Sequence, residues 1–207
     1  MFTGIVTRSC AVQAIEDRPG LRTITVQLTP SLIQGLERGA SVAIDGVCLT
    51  ATDMNVDDAL ASFDVMQETL NKTTLGALLP EALVHVERSA TFGQEVGGHI
   101  VSGHVSGVAK VISIARPENN FVLTLQVPDS ARDFIFEKGF VAIKGASLTV
   151  VDYHHEEGIF SVWLIPETLD VTTFGALSPG DVVNFEVDPQ TVAIVETVRR
   201  TLERQPR

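Results

Sequence analysis

Cys48 and His104 are the side chains best suited to covalent or proton-transfer chemistry near neutral pH. A thiolate is a nucleophile where it is accessible, and a neutral imidazole is a reasonable general base near pH 7. Each also has a plainer reading. A cysteine in an apolar strand is commonly a small buried hydrophobe, and a histidine can be satisfied by the backbone of its own domain. Asp188 stands directly ahead of Pro189, where helix capping alone explains a carboxylate. The run His154-His155-Glu156-Glu157 has the composition of a metal cluster. Adjacent strand residues point to opposite faces, so a solvated hairpin is the better reading and no metal is expected.

The elements that must position these groups come in two copies. VAIDGVCLT at 42–50 returns as VAIKGASLT at 141–149, a shift of 99 residues. The same shift aligns Glu68-Thr69-Leu70 with Glu167-Thr168-Leu169, Gly4 with Gly103, and Gln27 with Gln126. A period this long is that of a whole domain. Domains at 1–97 and 98–187 are expected, with a tail at 188–207. The duplication supplies an internal control: shared positions serve the fold or common binding, and differing ones are candidates for asymmetric chemistry. Cys48 faces Ser147, His104 faces Ile5, Phe2 faces Val101, and Ser41 faces Phe140. Asp64 faces Trp163 and Met66 faces Ile165, on what the alternation marks as the outer face of a strand.

Ile24, Val26 and Leu28 alternate with polar neighbours, as do Leu123, Leu125 and Val127. This period of two marks half-buried strands, and similar runs lie near 41–46, 48–54, 61–66 and 83–88. Several short strands per hundred residues predict an all-β chain with a small antiparallel barrel in each half, since closure removes exposed edges. Short helices are expected near 31–36 and 130–136. In the tail, Val195, Val198 and Leu202 form a narrow apolar stripe on a predicted helix. It either lies on a barrel or meets copies of itself, and its narrowness favours the second.

Composition narrows the functions further. The chain carries 15 Lys+Arg against 26 Asp+Glu and only 6% aromatic residues. That is a poor match to a nucleic-acid-binding barrel, which needs a basic face interleaved with aromatics. Nothing approaches the roughly 18 apolar residues of a membrane span, no signal peptide is visible, and two cysteines make no disulfide framework. A cytoplasmic protein with no membrane partner is expected.

MFTGIV at 1–6, GVCLT at 46–50, GGHIVSGH at 97–104, KGFVAIKGASLTV at 138–150 and LIPETL at 164–169 together resemble the riboflavin synthase family over essentially the whole chain. The resemblance implies two tandem six-stranded Greek-key barrels and a C-terminal helix that holds a homotrimer. It also implies an active site between the first barrel of one subunit and the second barrel of its neighbour. The reaction it implies is the dismutation of two molecules of 6,7-dimethyl-8-ribityllumazine. One gives a four-carbon unit to the other, forming riboflavin and a pyrimidinedione, without a cofactor. Lumazine synthase is a candidate partner. Two related pockets suit this chemistry, because holding both rings together makes their encounter nearly intramolecular.

By the same resemblance Phe2, Ser41, Cys48, His104, Ser147 and Asp188 form the catalytic set. Cys48 would belong to the site, with the nucleophile being its thiol, a water or a ribityl hydroxyl. Phe2 would cover a flat ring or be a core phenylalanine, and Lys138 would either stabilise developing negative charge or remain a solvated surface lysine. Thr3, Gly4, Thr50, Asp64, Met66, Glu68, Thr69, Gly103, Thr149, Ile165, Glu167 and Thr168 would contact substrate. His99 is read as structural. The competing reading within this fold is a non-catalytic lumazine- or flavin-binding antenna protein.

Overall fold

The computed structural model describes residues 1–204; the last residues of the expected tail, 205–207, lie outside them. The first half contains β1 (Arg8–Arg18), β2 (Leu21–Gln27), α1 (Pro30–Ile33), β3 (Ser41–Ile44), β4 (Val47–Asn55), β5 (Leu60–Met66), α2 (Gln67–Lys72) and β6 (Leu83–Arg88). Its strands close in the order β1-β2-β5-β4-β3-β6. The second half repeats the series as β7 (Gly107–Ala115), β8 (Phe121–Gln126), β9 (Phe140–Ile143), β10 (Ala146–Thr149), β11 (Val151–His154), β12 (Ile159–Leu164), α3 (Pro166–Val171) and β13 (Val182–Val187). The helix α4 (Pro189–Glu203) follows.

The alternation read from sequence is the burial pattern observed. Ile24 and Val26 are buried while Thr23 and Thr25 are half-exposed, and Leu123 and Leu125 repeat this. Each half therefore has its own apolar core, around Phe63 in the first and Phe160 in the second. A fully buried side chain of this size contributes about 1.5–3 kcal/mol. The expected short helices are present. Thr29 caps α1 by accepting from the Leu32 N–H at 3.3 Å, and a 3-10 turn spans Asp129–Phe134.

The second half departs from the expected six-stranded barrel. The counterpart of β4 is broken at Val150 into β10 and β11, and the sheet is a curled seven-stranded one, β10-β9-β13-β7-β8-β12-β11. Its two edge strands are thus consecutive segments of chain. The cause is local. Asp152 takes a left-handed φ of 49°, and the register against β12 slips between Val151 and His154. The first half has a milder irregularity between Ala51 and Asp53, which leaves β4 continuous.

The halves meet through mirrored features. The β3–β4 and β9–β10 hairpins turn on Asp45-Gly46 and Lys144-Gly145, all four at positive φ, the two-residue type I′ geometry. The turns touch: a Cβ on Gly46 would lie 2.6 Å from the Gly145 nitrogen. Buried Asp45 pairs with Lys144 at 3.3 Å. Burial pushes the Asp45 carboxyl upward, and the Lys144 charge offsets part of that. Around this pair, His85 joins the Lys144 carbonyl to the Thr173 N–H, and its mirror Asn184 joins the Asp45 carbonyl to the Thr74 N–H.

Among the described residues no helix is long and apolar enough to cross a membrane. Of the two alternatives for the tail, α4 shows packing on the second half of its own chain. Val192 packs on the second core, and Arg199 lies over Phe134 and pairs with Asp133. Ile194, Val198 and Leu202 face away from the barrel and are exposed.

Candidate active site

The two chain segments that precede the barrels, 1–5 and 98–104, act as straps. Each reaches the β-hairpin of the other half through its glycine, Gly4 or Gly103, while Phe2 and His99 stay against the hairpin of their own half. The straps pair through an antiparallel bridge between the mirror residues Phe2 and Val101, with Phe2 N–H to Val101 O at 2.8 Å. The Gly4 carbonyl then accepts from the Ser147 N–H at 2.8 Å, and the Gly103 carbonyl accepts from the Cys48 N–H at 2.9 Å. Both glycines have positive φ, and a Cβ on either would sit 2.5 Å from the Ser147 or Cys48 Cβ. Only glycine fits such a backbone this close to its neighbour.

Two mirror pockets result. The first, about 310 Å³, is lined by Val47, Cys48, Glu68, Thr69, Lys72 and Thr73 of the first barrel and by Gly103, His104 and Val105 of the strap. The second, about 440 Å³, is lined by Ala146, Ser147, Glu167, Thr168, Val171 and Thr172 of the second barrel and by Gly4, Ile5 and Val6. Crossing of the straps brings Cys48 and His104, 56 positions apart in sequence, into one pocket. Either pocket has the volume of a small-molecule site.

Ser41 and Thr50 pair across β3 and β4 on the same face as Cys48, two residues along, outside the lining of the first pocket. Thr149 pairs with Phe140 in the same relation to Ser147. Lys138 opens the second hairpin with φ 64°, where its mirror is Gly39 at 89°, so a lysine holds a backbone conformation that glycine holds in the other half. Asp188 caps α4, accepting from the Gln190 and Thr191 N–H groups, and its charge also reaches His99.

Four expectations fit less directly. Phe2, expected to cover a ring, is 2% exposed and packs with Ala43, Val101 and Ala142 beneath Cys48. The bridge to Val101 draws it inward, so it supports the site from below. Thr3 is buried and gives its hydroxyl to Glu87, so it anchors a strap. Met66 and Ile165 sit exposed at the starts of α2 and α3, next to the pocket residues Glu68 and Glu167. Asp64 is not brought to either pocket. It accepts from Thr23 Oγ1 at 2.6 Å in a polar groove on the outer face of the first barrel.

His99, set aside as structural, lies at the second site. Its Nδ1 is 2.6 Å from Ser147 Oγ, and its ring stacks on Phe140 at 5.1 Å. Its Nε2 is buried without a hydrogen-bond partner. Burial lowers the imidazole pKa, while Asp188 pulls it up. No mirror residue exists for His99, so the internal control was silent there. Glu87 and Glu186, mirror residues that hold the straps, were also missed. The available signal was an acidic residue within each apolar run, VHVER and VNFEV.

The lumazine binding domain family matches residues 3–89 and 102–188. The chain belongs to the riboflavin synthase family. It is 46% identical to the riboflavin synthase of Escherichia coli (strain K12) over 203 residues, 98% of this chain and 93% of that protein. The riboflavin synthase of Mycobacterium tuberculosis (strain H37Rv) is 38% identical over 189 residues, 91% of this chain and 93% of that one. Among solved structures, LumP complexed with riboflavin superposes with a TM-score of 0.83 at 22% identity. It covers 91% of this chain and 100% of that one, a likeness of fold. The chain carries riboflavin synthase activity and binds lumazine.

Proposed function

We propose that each pocket of this riboflavin synthase holds one 6,7-dimethyl-8-ribityllumazine, and that the two rings that react sit on different subunits of a homotrimer. The observation that carries this reading is the pair of mirror pockets, alike in frame and unlike where chemistry is needed. Glu68-Thr69 and Glu167-Thr168 are common to both and suit a ligand common to both. Cys48 against Ser147, His104 against Ile5 and Lys72 against Val171 make the pockets unequal, as donor and acceptor roles require. His104 is the base that takes a proton from a lumazine C7 methyl, in the pocket that also holds the Cys48 thiol. Ser147, backed by His99, holds the polar edge of the other ring. Two lumazines contain all the atoms of riboflavin and 5-amino-6-ribitylaminouracil, so the exchange needs no outside oxidant or reductant.

Within one chain, the layer of Phe2, Ala43, Val101 and Ala142 fills the space between the hairpins that carry Cys48 and Ser147. This supports a partner pocket supplied by another chain. Ile194, Val198 and Leu202, spaced four apart and exposed on α4, support association through that helix.

The test is complementation. Cys48→Ala and Ser147→Ala chains, carrying different affinity tags, are co-expressed and doubly tagged oligomers are purified. A between-subunit site can pair an intact first pocket with an intact second pocket, so conversion of lumazine to riboflavin returns without added metal or nucleotide. Folded, doubly tagged oligomers no more active than either parent would place both pockets of a site in one chain.

A further inference from the structure

We infer that Glu186 and Glu87 are crossed positioning residues: each carboxylate, buried in one barrel, sets the geometry of the pocket on the other. Glu186 stands in β13, 3% exposed. Its Oε1 accepts from the Ser102 N–H at 2.8 Å and the Ser102 hydroxyl at 2.7 Å, and its Oε2 accepts from the Gly103 N–H at 2.9 Å. The next residue of that strap is His104, and the Gly103 carbonyl holds the Cys48 N–H in the first barrel. Glu87 in β6 repeats the arrangement. It accepts from the Thr3 N–H and hydroxyl at 2.7 and 2.8 Å and from the Gly4 N–H at 3.1 Å, while the Gly4 carbonyl holds Ser147.

Two features argue for positioning rather than simple burial. A carboxylate taken out of water is costly unless its oxygens are bonded, and here every one of those bonds goes to a strap. A strap, in turn, has few other ties: residues 3–5 and 102–104 belong to no strand. Glu87 feels the burial, which pushes its carboxyl upward against the opposing effect of the Thr3 and Gly4 N–H groups. The pattern means that the first pocket is aligned by a residue of the second barrel, so neither pocket is complete without the opposite half. The consequence for turnover rests on Cys48 and His104 being the reacting pocket; the geometric consequence does not.

The readout is the rate at which a maleimide labels Cys48 in the full-length protein, in a Cys10→Ser background, with turnover measured alongside. Glu186→Gln puts an amide N–H against one of the strap donors. Loss of one charge-assisted hydrogen bond loosens the strap by about tenfold, so Cys48 labelling rises about as much. Glu87→Gln, although in the same barrel as Cys48, changes it less than about twofold, because the residues it holds, Thr3 and Gly4, meet Ser147, and Phe2 keeps its own bridge to Val101. Displacement of His104 lowers kcat of Glu186→Gln on the order of 10²-fold with KM little changed. Should either glutamine variant fail to fold, Ser102→Ala and Thr3→Ala make the same comparison with one hydrogen bond removed from each strap. Cys48 labelling that rises equally for both straps, that rises more for the Glu87 side, or that does not rise at all overturns the crossed assignment. Crossed labelling with unchanged turnover would leave the positioning intact and remove His104 from the reaction.

Discussion

The first-barrel and second-barrel pockets share a frame down to single hydrogen bonds, yet only the first combines a thiol, an imidazole and an ammonium group. Cys48, His104 and Lys72 stand where the second pocket has Ser147, Ile5 and Val171. Lys72 is tied to Glu68 at 2.7 Å, an ion pair that holds the Glu68 carboxyl below its usual range. Both groups are largely solvent-exposed, so the pair contributes little stability. Glu167, facing Val171, has no such partner in its pocket. The difference separates two demands on a duplicated enzyme. On the proposed function, shared strap glycines and shared Glu-Thr pairs shape two sites for one ligand, and a few side-chain exchanges make one site reactive toward the other.

Making the pockets alike should therefore destroy catalysis before it destroys binding. His104→Ile installs the mirror residue. With the imidazole acting as base, kcat falls by about 10² to 10⁴-fold, while lumazine binding, followed by fluorescence titration, weakens far less. A loss of affinity as large as the loss of rate would make His104 a binding residue and erase the proposed division.

The glycine straps give the next largest effect and carry their own control. Gly103→Ala adds a Cβ 2.5 Å from the Cys48 Cβ and 2.9 Å from the Phe2 ring, on a backbone with φ +80°. Gly20→Ala adds one at φ +74° with nothing within 4 Å. Both variants incur strain of about 1–3 kcal/mol, visible as a lower Tm. Only Gly103→Ala should also lose turnover, by about 10²-fold, since the clash displaces His104 from Cys48. Comparable rates for the two variants would show that the strap's fit on Cys48 is irrelevant to catalysis.

Much of this comparison was legible beforehand, for a physical reason. Strand alternation and the constant shift between halves are local, so the closed first barrel, the hairpins and the asymmetric pair Cys48/Ser147 could be read directly, whereas the break at Val150 that opens the second half could not. Crossing of the straps is not local. Placing His104 beside Cys48 requires two segments to exchange barrels, and nothing in the periodicity of MFTGIV or GGHIVSGH encodes which barrel each lies on. Family position put both residues at the site without showing that route. For Phe2 an aromatic residue near the chain start fits a ring cover or a core residue equally, and the bridge to Val101, which turns it inward, joins residues 99 apart in sequence. Outward alternation identified the face of Asp64 but not the groove, apart from both pockets, that it lines there. His99 reads as structural from sequence because a residue before the second copy has no mirror to differ from.

The smallest expected effect concerns the seam between the halves, where His85 mirrors Asn184. His85 Nδ1 lies 3.0 Å from the Lys144 carbonyl, which can only accept, so this nitrogen carries the proton. Nε2 then accepts from the Thr173 N–H at 2.8 Å. A second proton would point at that N–H. Burial, reinforced by the Lys144 charge, lowers the imidazole pKa to about 3. An unfolded histidine titrates at about 6.5. The folded value is the lower one, so as pH falls the unfolded chain takes up the proton first. Stability attributable to His85 is complete above about pH 6.5 and falls by up to about 1.4 kcal/mol per pH unit below that. The decline levels off once pH reaches the folded value of about 3. Asn184 shows that an amide can fill the same role, donating from Nδ2 to the Asp45 carbonyl and accepting from the Thr74 N–H through Oδ1. His85→Asn should therefore fold. The smaller side chain leaves space beside Phe174, whose ring meets His85 edge-on at 5.0 Å, at a cost of about 1–2 kcal/mol at pH 7. The variant should nonetheless lose less stability than the wild type in urea unfolding between pH 6.5 and 4.5, the range in which only the wild type carries this histidine's proton-linked loss. Parallel pH profiles for the two proteins would show that His85 is not the titrating group at the seam.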